Sequence, residues 1–413
     1  MKNTVPQGHF LWSAIVLGGL YTTQMLAPAY MTNVTSLILR DAGESLEKIS
    51  WLYAVGMIWS ANVLWAPIVD RSGFSRFGHY RSWILGMQIL LLVILLMTAF
   101  FPPLEYFSIV LLLFTLAALV SSTQDIATDA LGVRLLSPGQ RGIGNSIQAG
   151  GNLLGGILGG GLMLVSYSWL GWQTCLFLLS ACVFLALLPV LCLREPSTPP
   201  NQDRAGYGSI VRFFKRPGAL HWVVILLVFR MTGMVAYSLL GPLLVDMGWG
   251  LEEIGVAMYL LGPIFGLIGA AFAGWLVTRF GRKRAALVSM ALTALAVIGM
   301  FLPANRHTEG AIVYGIIFFL HNSYGFGCTV LYTLVMDKCD PASAGADFSL
   351  QVSLTGIGML VAVSLALNAV ERIGYCNVLL ACLVSTLVFM VLIQTYTGFE
   401  RVIVDNGLDR KPA

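Results

Sequence analysis

Charge is what this sequence has least of. Only 11% of its 413 residues are Asp, Glu, Lys or Arg, whereas 57% are hydrophobic and the mean hydropathy is +0.81. A soluble domain carries about 25% charged residues, so this chain lacks the polar surface to face water all round. Histidine is scarce too, at five residues, and no G-x-S-x-G, H-E-x-x-H or metal-ligand cluster accompanies it. That leaves few general bases and argues against an enzyme such as a membrane acyltransferase. No phosphate-binding P-loop is present, so ATP hydrolysis within this chain is not the expected energy source. The seven cysteines (175, 182, 192, 328, 339, 376, 382) show no C-x-x-C spacing. They read as small apolar packing residues rather than a metal site or disulfide framework. Neither cofactor nor metal is expected, and no appended soluble domain is there to carry a signal.

What fills the chain instead is apolar runs. A spanning helix needs roughly 20 mostly apolar residues to cross a hydrocarbon core of about 30 Å. Twelve such runs are predicted, near 10–38, 49–69, 83–101, 105–133, 143–167, 172–193, 220–245, 254–277, 285–303, 311–335, 348–370 and 375–395. The first is broken by Tyr21, Gln24 and Pro28 and lacks a small-residue cleavage site, so it reads as a permanent span. Between the sixth and seventh runs, a Pro/Asn/Gln/Asp stretch precedes Arg212-Phe-Phe-Lys-Arg216, a composition shift that marks a linker. The expected organisation is all-α: a six-span half at 1–193, a linker at 194–219, and a second six-span half with a short tail at 220–413.

Of the 24 basic residues, 19 fall in segments on the side of the chain ends and the linker. Four (Arg40, Lys48, Arg306, Arg372) fall on the opposite side, and Arg230 lies within a span. The asymmetry predicts both termini in the cytoplasm. Because these charges are spread over many short loops, they speak of lipid orientation rather than a nucleic-acid surface. An internal repeat is visible as well. Asp70-Arg71-Ser-Gly73, with Arg76 and Arg81, follows the second span; Gly274-Trp-Leu-Val-Thr278-Arg279-Phe-Gly281-Arg282-Lys283-Arg284 follows the eighth, 208 residues on. The second copy resembles the loop motif G-x-L-x-D-R-x-G-R-[KR]-[KR] of the major facilitator transporters, with Thr278 in place of the acid. That resemblance implies two pseudo-symmetric six-helix bundles with a substrate site at midplane between them. It also implies a gating role for Asp70, Arg71, Arg279 and Arg282, whose charges can cap helix ends and pair across the halves.

Further segments resemble one branch of that superfamily, the AmpG muropeptide permeases: Trp65-Ala-Pro67-Ile-Val-Asp70-Arg71, Gly78-His-Tyr-Arg81-Ser-Trp83, and above all Thr123-Gln124-Asp125-Ile-Ala-Thr-Asp129. Two places depart from the branch. Gly151 and Asn152 stand where a tyrosine–arginine pair is usual, and Arg230 with Gly233 stands where lysine-x-x-aspartate is common. The run Gln124-Asp-Ile-Ala-Thr-Asp-Ala-Leu-Gly-Val-Arg134, with Arg141-Gly-Ile-Gly-Asn145-Ser-Ile-Gln148, looks closer to siderophore permeases of the RhtX/FptX type. On that likeness the cargo is expected to be a small iron chelate such as ferripyochelin, imported across the bacterial inner membrane by alternating access and driven by protons. The alternative is a muropeptide or another amphiphilic metabolite. No protein partner is evident; the lipid bilayer and a small-molecule cargo are the partners expected.

An ionised side chain near the bilayer centre costs about 2.5–3.5 kcal/mol and usually faces the bundle interior. Asp125 and Asp129 share one face of the fourth span. There they can share a proton or gate, or else pair with Arg134 or Arg141. Arg230 lies ten residues into the seventh span and needs a carboxylate, a carbonyl or an anionic ligand; Tyr237 follows on the same stripe. His321, Tyr324, Gly325 and Cys328 form one stripe of the tenth span. Tyr21 and Gln24 of the first span, Trp59 of the second, and Gln148 and Asn152 of the fifth complete the candidate cargo wall, Trp59 as a surface for a planar ligand. Gly151, Gly155 and Gly159, with Gly156 and Gly160 beside them, read as a close-packing helix face.

Overall fold

A computed structural model describes residues 7–396 apart from 45, 74–77, 194, 196–206 and 305–309. Arg76, Arg306 and the Pro/Asn/Gln stretch of the linker lie outside the described residues. No strand occurs among the described residues; backbone groups in hydrocarbon must be satisfied within their own segment, and helices do that.

Among the described residues ten helices are long and apolar enough to cross a membrane; dividing Arg141–Leu191 at Gly171 and adding the broken second span gives twelve. Span one comprises Gln7–Ala29, a π-helical Tyr30–Thr35 and Ser36–Asp41. Span two is broken into Leu46–Val55, Met57–Ala61, a 3-10 turn at Asn62–Leu64 and Ala66–Arg71. Spans three and four are His79–Thr98 and Phe107–Leu135. Span five runs from Arg141 through Gly156 and a π-helical Ile157–Leu162 to a bend at Gly171, and span six continues to Leu191. A short linker helix, Gly208–Phe214, precedes span seven, which is Ala219–Val228 and Met231–Asp246. Span eight is Leu251–Ile254, a π-helical Gly255–Leu261 and Gly262–Phe280; span nine is Arg282–Gly299 with Phe301–Ala304; span ten is Gly310–Lys338. Spans eleven and twelve share Ala344–Thr395, bent at Gly374.

The duplication expected from the loop motifs is visible in the backbone. Gly78 and Gly281, which open spans three and nine, have φ of 92° and 86°; Gly171 and Gly374, at the bends after spans five and eleven, have φ of 72° and 78°. Both pairs are 203 residues apart, and only glycine takes this conformation without strain. Asp70 and Thr278 are 208 apart because seven residues separate spans two and three whereas Gly281 alone separates spans eight and nine.

Two differences from the expected spans bear on function. Span two was expected to be continuous over 49–69, but it is interrupted at Gly56 and Asn62–Leu64. Span seven was expected to be continuous over 220–245, but it breaks at Phe229–Arg230, where Arg230 has φ −111° and ψ 0°. Gly358 of span eleven presses on the Leu227 carbonyl just before that break, a contact that no side chain would permit.

The halves meet along spans five and eight, along spans five and ten, and where spans two and four meet span eleven. Glycine sets the closest contacts. Gly151, Gly155 and Gly159 seat span five on Tyr21, Thr22 and Leu26 of span one, while Gly269 and Gly325 interlock spans eight and ten at the carbonyls of Asn322 and Gly266. Spans four and ten are the most enclosed, buried almost without interruption over 121–133 and 323–337. They carry the polar residues of the site.

Candidate transport site

Asp125 and Asp129 are one turn apart on span four, held by neutral donors from three other spans. Gln24 donates from Nε2 to Asp125 Oδ1 at 2.7 Å, and Trp59 donates its indole N–H to Oδ2 at 3.3 Å. The same Gln24 Nε2 reaches Asn152 Oδ1 at 3.2 Å. Tyr21 donates its hydroxyl to Asp129 Oδ1 at 2.8 Å, and Gln148 donates Nε2 to the same oxygen at 2.8 Å. Four residues that the sequence offered as separate candidates thus bond one acid pair directly, and the fifth, Asn152, joins through Gln24. The two acids differ in access. Asp129 is 3% exposed, whereas Asp125, Asn152 and Trp59 are only partly buried. Trp59 therefore contributes its N–H as well as its ring.

The ion-pair alternative for these acids does not form. Arg134 lies 3.5 Å from Glu195 and donates to the Pro341 carbonyl; Arg141 is 2.8 Å from Asp337. No basic residue among the described residues pairs with Asp125 or Asp129.

In the second half, Arg230 stands at the break in span seven, the N-cap of Met231–Asp246. Its guanidinium lies over the Tyr324 ring, 4.3 Å from the centroid, and touches the Cys328 thiol. No acid among the described residues pairs with it. The first N–H groups of a helix carry partial positive charge, so the break adds to the anion-attracting character of the arginine. Half-helices ending at a midplane site are a recurring transporter device. Tyr237 joins the cluster, 5.6 Å from Tyr324 and 5.1 Å from His321 between ring centroids. His321 is 3% exposed, packed on Gly262, with Nδ1 2.9 Å from the Ile317 carbonyl. A cavity of about 20 Å³ beside Arg230, bounded by Gly233, Thr293, Ser323 and Gly327, has room for a single water.

Tyr332, one helical turn beyond Cys328, was not singled out from sequence. It lies within electrostatic reach of both Arg230 and Asp125. Its signal was present: it extends the stripe of His321, Tyr324 and Cys328.

The end of the bundle that gathers Asp70, Arg134, Arg141 and Arg282, here called the basic end, is closed. Asp70 accepts from the backbone N–H of Gly345 at 3.0 Å and of Ala346 at 2.7 Å, at the head of span eleven, and from the Tyr80 hydroxyl at 2.7 Å. Asp337 at the end of span ten holds Arg141 of the other half and Arg282 of span nine, each at 2.8 Å; Arg282 also reaches the Pro138 carbonyl across the halves. Glu195 accepts the N–H groups of Tyr80 and Arg81 that open span three. Asp337 and Glu195 were both missed in the sequence, because a lone acid at a span end has no pattern to betray it. Arg71 and Arg279, at the same end, take no part in these contacts. Both are exposed, in outer grooves of about 1110 and 470 Å³ lined by Trp83 and Tyr207 in one and by Ser146, Trp275 and Thr278 in the other. Neither forms an ion pair with a described residue.

Comparison with known proteins places this architecture. Residues 11–363 match the model of the Major Facilitator Superfamily. The chain is 28% identical to the anhydromuropeptide permease of Escherichia coli K12, over 88% of this chain and 76% of that one. It is 22% identical to the putative transporter AmpG 3 of Rickettsia typhi, over 79% of this chain and 82% of the relative. Among solved structures, it resembles the fucose transporter FucP in its outward conformation, with a TM-score of 0.69 at 14% identity over 94% and 98% of the chains. It also resembles a bacterial homologue of the iron transporter ferroportin in an outward-facing state, with a TM-score of 0.65 at 17% identity over 93% and 98%. Twelve spans in two related halves among the described residues, a polar cluster within each, and a match over most of the length lead to one assignment: this chain is a multi-pass membrane transporter, not an enzyme, and belongs to the Major Facilitator Superfamily.

Proposed function

We propose that this protein is a secondary active permease of the muropeptide-carrying kind, moving a small amphiphilic anion across a bacterial inner membrane by alternating access. The observation that carries this reading is Arg230, a cation at a helix break inside the bundle with a tyrosine ring and a thiol for partners and no described acid paired to it. A buried charge needs a partner, and an anionic cargo supplies it. The names of the relatives support muropeptide cargo over the iron chelate suggested by the local wording of spans four and five.

In this reading, Asp125 and Asp129 couple transport to protons, and each half, 1–193 and 220–413, moves as a unit about the linker 194–219. The excess of basic residues at the closed end supports a cytoplasmic placement of that end and of both termini. The conformation described is then closed to the cytoplasm, held by Asp70, Asp337 and their partners.

The ferric-siderophore reading rests on one observation of its own: Gly151, Asn152 and Gly233 depart from the muropeptide pattern, and a chelate's carboxylate or phenolate also suits Arg230. Uptake into proteoliposomes with an imposed proton gradient decides. Accumulation of a radiolabelled anhydromuropeptide, abolished by a protonophore, is the expected result. Accumulation of an iron-55 chelate with no muropeptide uptake would replace this reading with the siderophore one.

A further inference from the structure

The two clusters carry opposite signs and unfinished hydrogen bonding. On span four's side the charge is negative and the donors are neutral: the two carboxylates accept from Gln24, Trp59, Tyr21 and Gln148, and the Asn152 carbonyl accepts from Gln24. Gln24 is 0% exposed and Gln148 2%, yet neither side-chain carbonyl has a hydrogen-bond partner among the described residues. Each orphan oxygen belongs to the same amide that donates to Asp125 or Asp129, so both orphans lie within the acid cluster. A buried acceptor left unsatisfied costs about 1–3 kcal/mol, which a donor brought by a ligand would relieve. The opposite holds around Arg230. A guanidinium offers five N–H donors, and here it meets a thiol and an aromatic face.

The acids and the arginine do not neutralise one another, although Tyr332 lies within electrostatic reach of both Asp125 and Arg230. A ligand with an anionic group alone would complete only the arginine side. A ligand with both an anion and a donor would complete both, and because one pole rests on each half, its binding would draw the halves together.

We infer that the cargo is recognised as a dipole, with its carboxylate-like group at Arg230 and an ammonium group at the Asp125–Gln24–Asn152 wall. This rests on the proposed function for the location of the site and adds the class of molecule the site takes. Asp125 is the acid that meets the donor, being the one open to the interior. Asp129, enclosed by Tyr21 and Gln148, holds it in place from one turn away.

The test uses the full chain in lipid nanodiscs and calorimetric titration with an anhydromuropeptide bearing a free side-chain amine, the same compound N-acetylated on that amine, and the same compound with its carboxylates amidated. Each modification is expected to weaken binding about tenfold, the loss of a charged hydrogen bond. N-acetylation should cost nothing further in Asp125→Asn, and amidation nothing further in Arg230→Gln. Equal binding of the acetylated and free-amine forms to the unaltered protein overturns the dipole. A second measurement needs no knowledge of the cargo. In a variant retaining only Cys328, which touches Arg230, ω-amino carboxylates of increasing length should protect the thiol from alkylation at about a tenfold lower concentration than carboxylates of matching length. Equal protection at every length, or none, overturns the dipole whatever the cargo. Protection by the amino carboxylates with no binding of the muropeptide leaves the dipole standing and removes the muropeptide reading.

Discussion

At the scale of single residues, the site works by withholding partners. Asp125, Asp129 and Arg230 are ionisable groups inside the bundle, and each is surrounded by neutral groups. Replacing Arg230 by alanine removes the only charge that the described residues place on its side of the site. Uptake is expected to be abolished with membrane abundance intact, checked by transport and by quantitative immunoblotting of the same vesicles. An equal fall in abundance would assign the residue to folding instead. Arg230→Lys keeps the charge but loses the planar face on Tyr324 and the forked donors; cargo affinity should fall about tenfold, a fraction of the alanine effect. Asp129→Asn preserves shape but cannot ionise. Gradient-driven accumulation should disappear while cargo exchange across the membrane continues, which counterflow with no imposed gradient would show. All three residues were legible in the sequence, because a charge inside an apolar run stands out. Their partners were only half legible: Tyr21, Gln24, Trp59 and Gln148 were candidates, but nothing in the order of residues said that two acids would draw on all of them, or that Asn152 would join through Gln24.

At the scale of elements, glycine decides how close the helices come, and the fold separates glycines that look alike in sequence. Gly155 and Gly156 are neighbours, yet a methyl group on Gly155 would strike the Thr22 carbonyl of span one, whereas one on Gly156 would meet nothing within 4 Å. Gly155→Ala is therefore expected to cost on the order of 1–3 kcal/mol by overpacking and to lower the melting temperature in detergent, with Gly156→Ala indistinguishable from the parent. The four-residue spacing of Gly151, Gly155 and Gly159 marked the glycines that meet span one; the contact of Gly160 with Asn33 was not readable, because the π-helical turn at Ile157–Leu162 re-aims the residues within and beyond it. Similar turns in spans one and eight, at Tyr30–Thr35 and Gly255–Leu261, lie in the half of each span away from the basic end. Gly160 touches Asn33 and Gly161 approaches Leu260, so the three irregular turns adjoin one another there. No periodicity of apolar residues signals a π turn, since one extra residue per turn leaves the composition unchanged.

At the scale of the whole molecule, the closed end is held by contacts between residues far apart in the chain. Asp70 reaches span eleven 275 residues on, and Arg141 reaches Asp337 across 196. Asp337→Ala leaves Arg141 and Arg282 facing each other with no acid between them, and breaking a partly buried pair in this way costs about 3–5 kcal/mol. The population should shift towards a conformation open at the basic end. A cysteine placed at Ser353, which in the closed form bonds the Ser60 carbonyl, should then react faster with a charged maleimide. An unchanged labelling rate would show that Asp70 alone suffices to hold that end.

Sequence by itself determined that the chain lives in lipid, how many times it crosses, that its halves are related, and which few ionic groups need explaining. These follow from burial costs and from backbone hydrogen bonds that each helix satisfies locally, so they are written along the chain. Tertiary structure alone decided that Arg134 and Arg141 turn to the closed end rather than to the acids of span four, that span seven breaks at Arg230 beside its contact with Gly358, and that Tyr332 comes within electrostatic reach of both charged walls. Those outcomes depend on which side chains meet across helices hundreds of residues apart. An intramembrane charge demands a partner without naming it, and packing makes the choice.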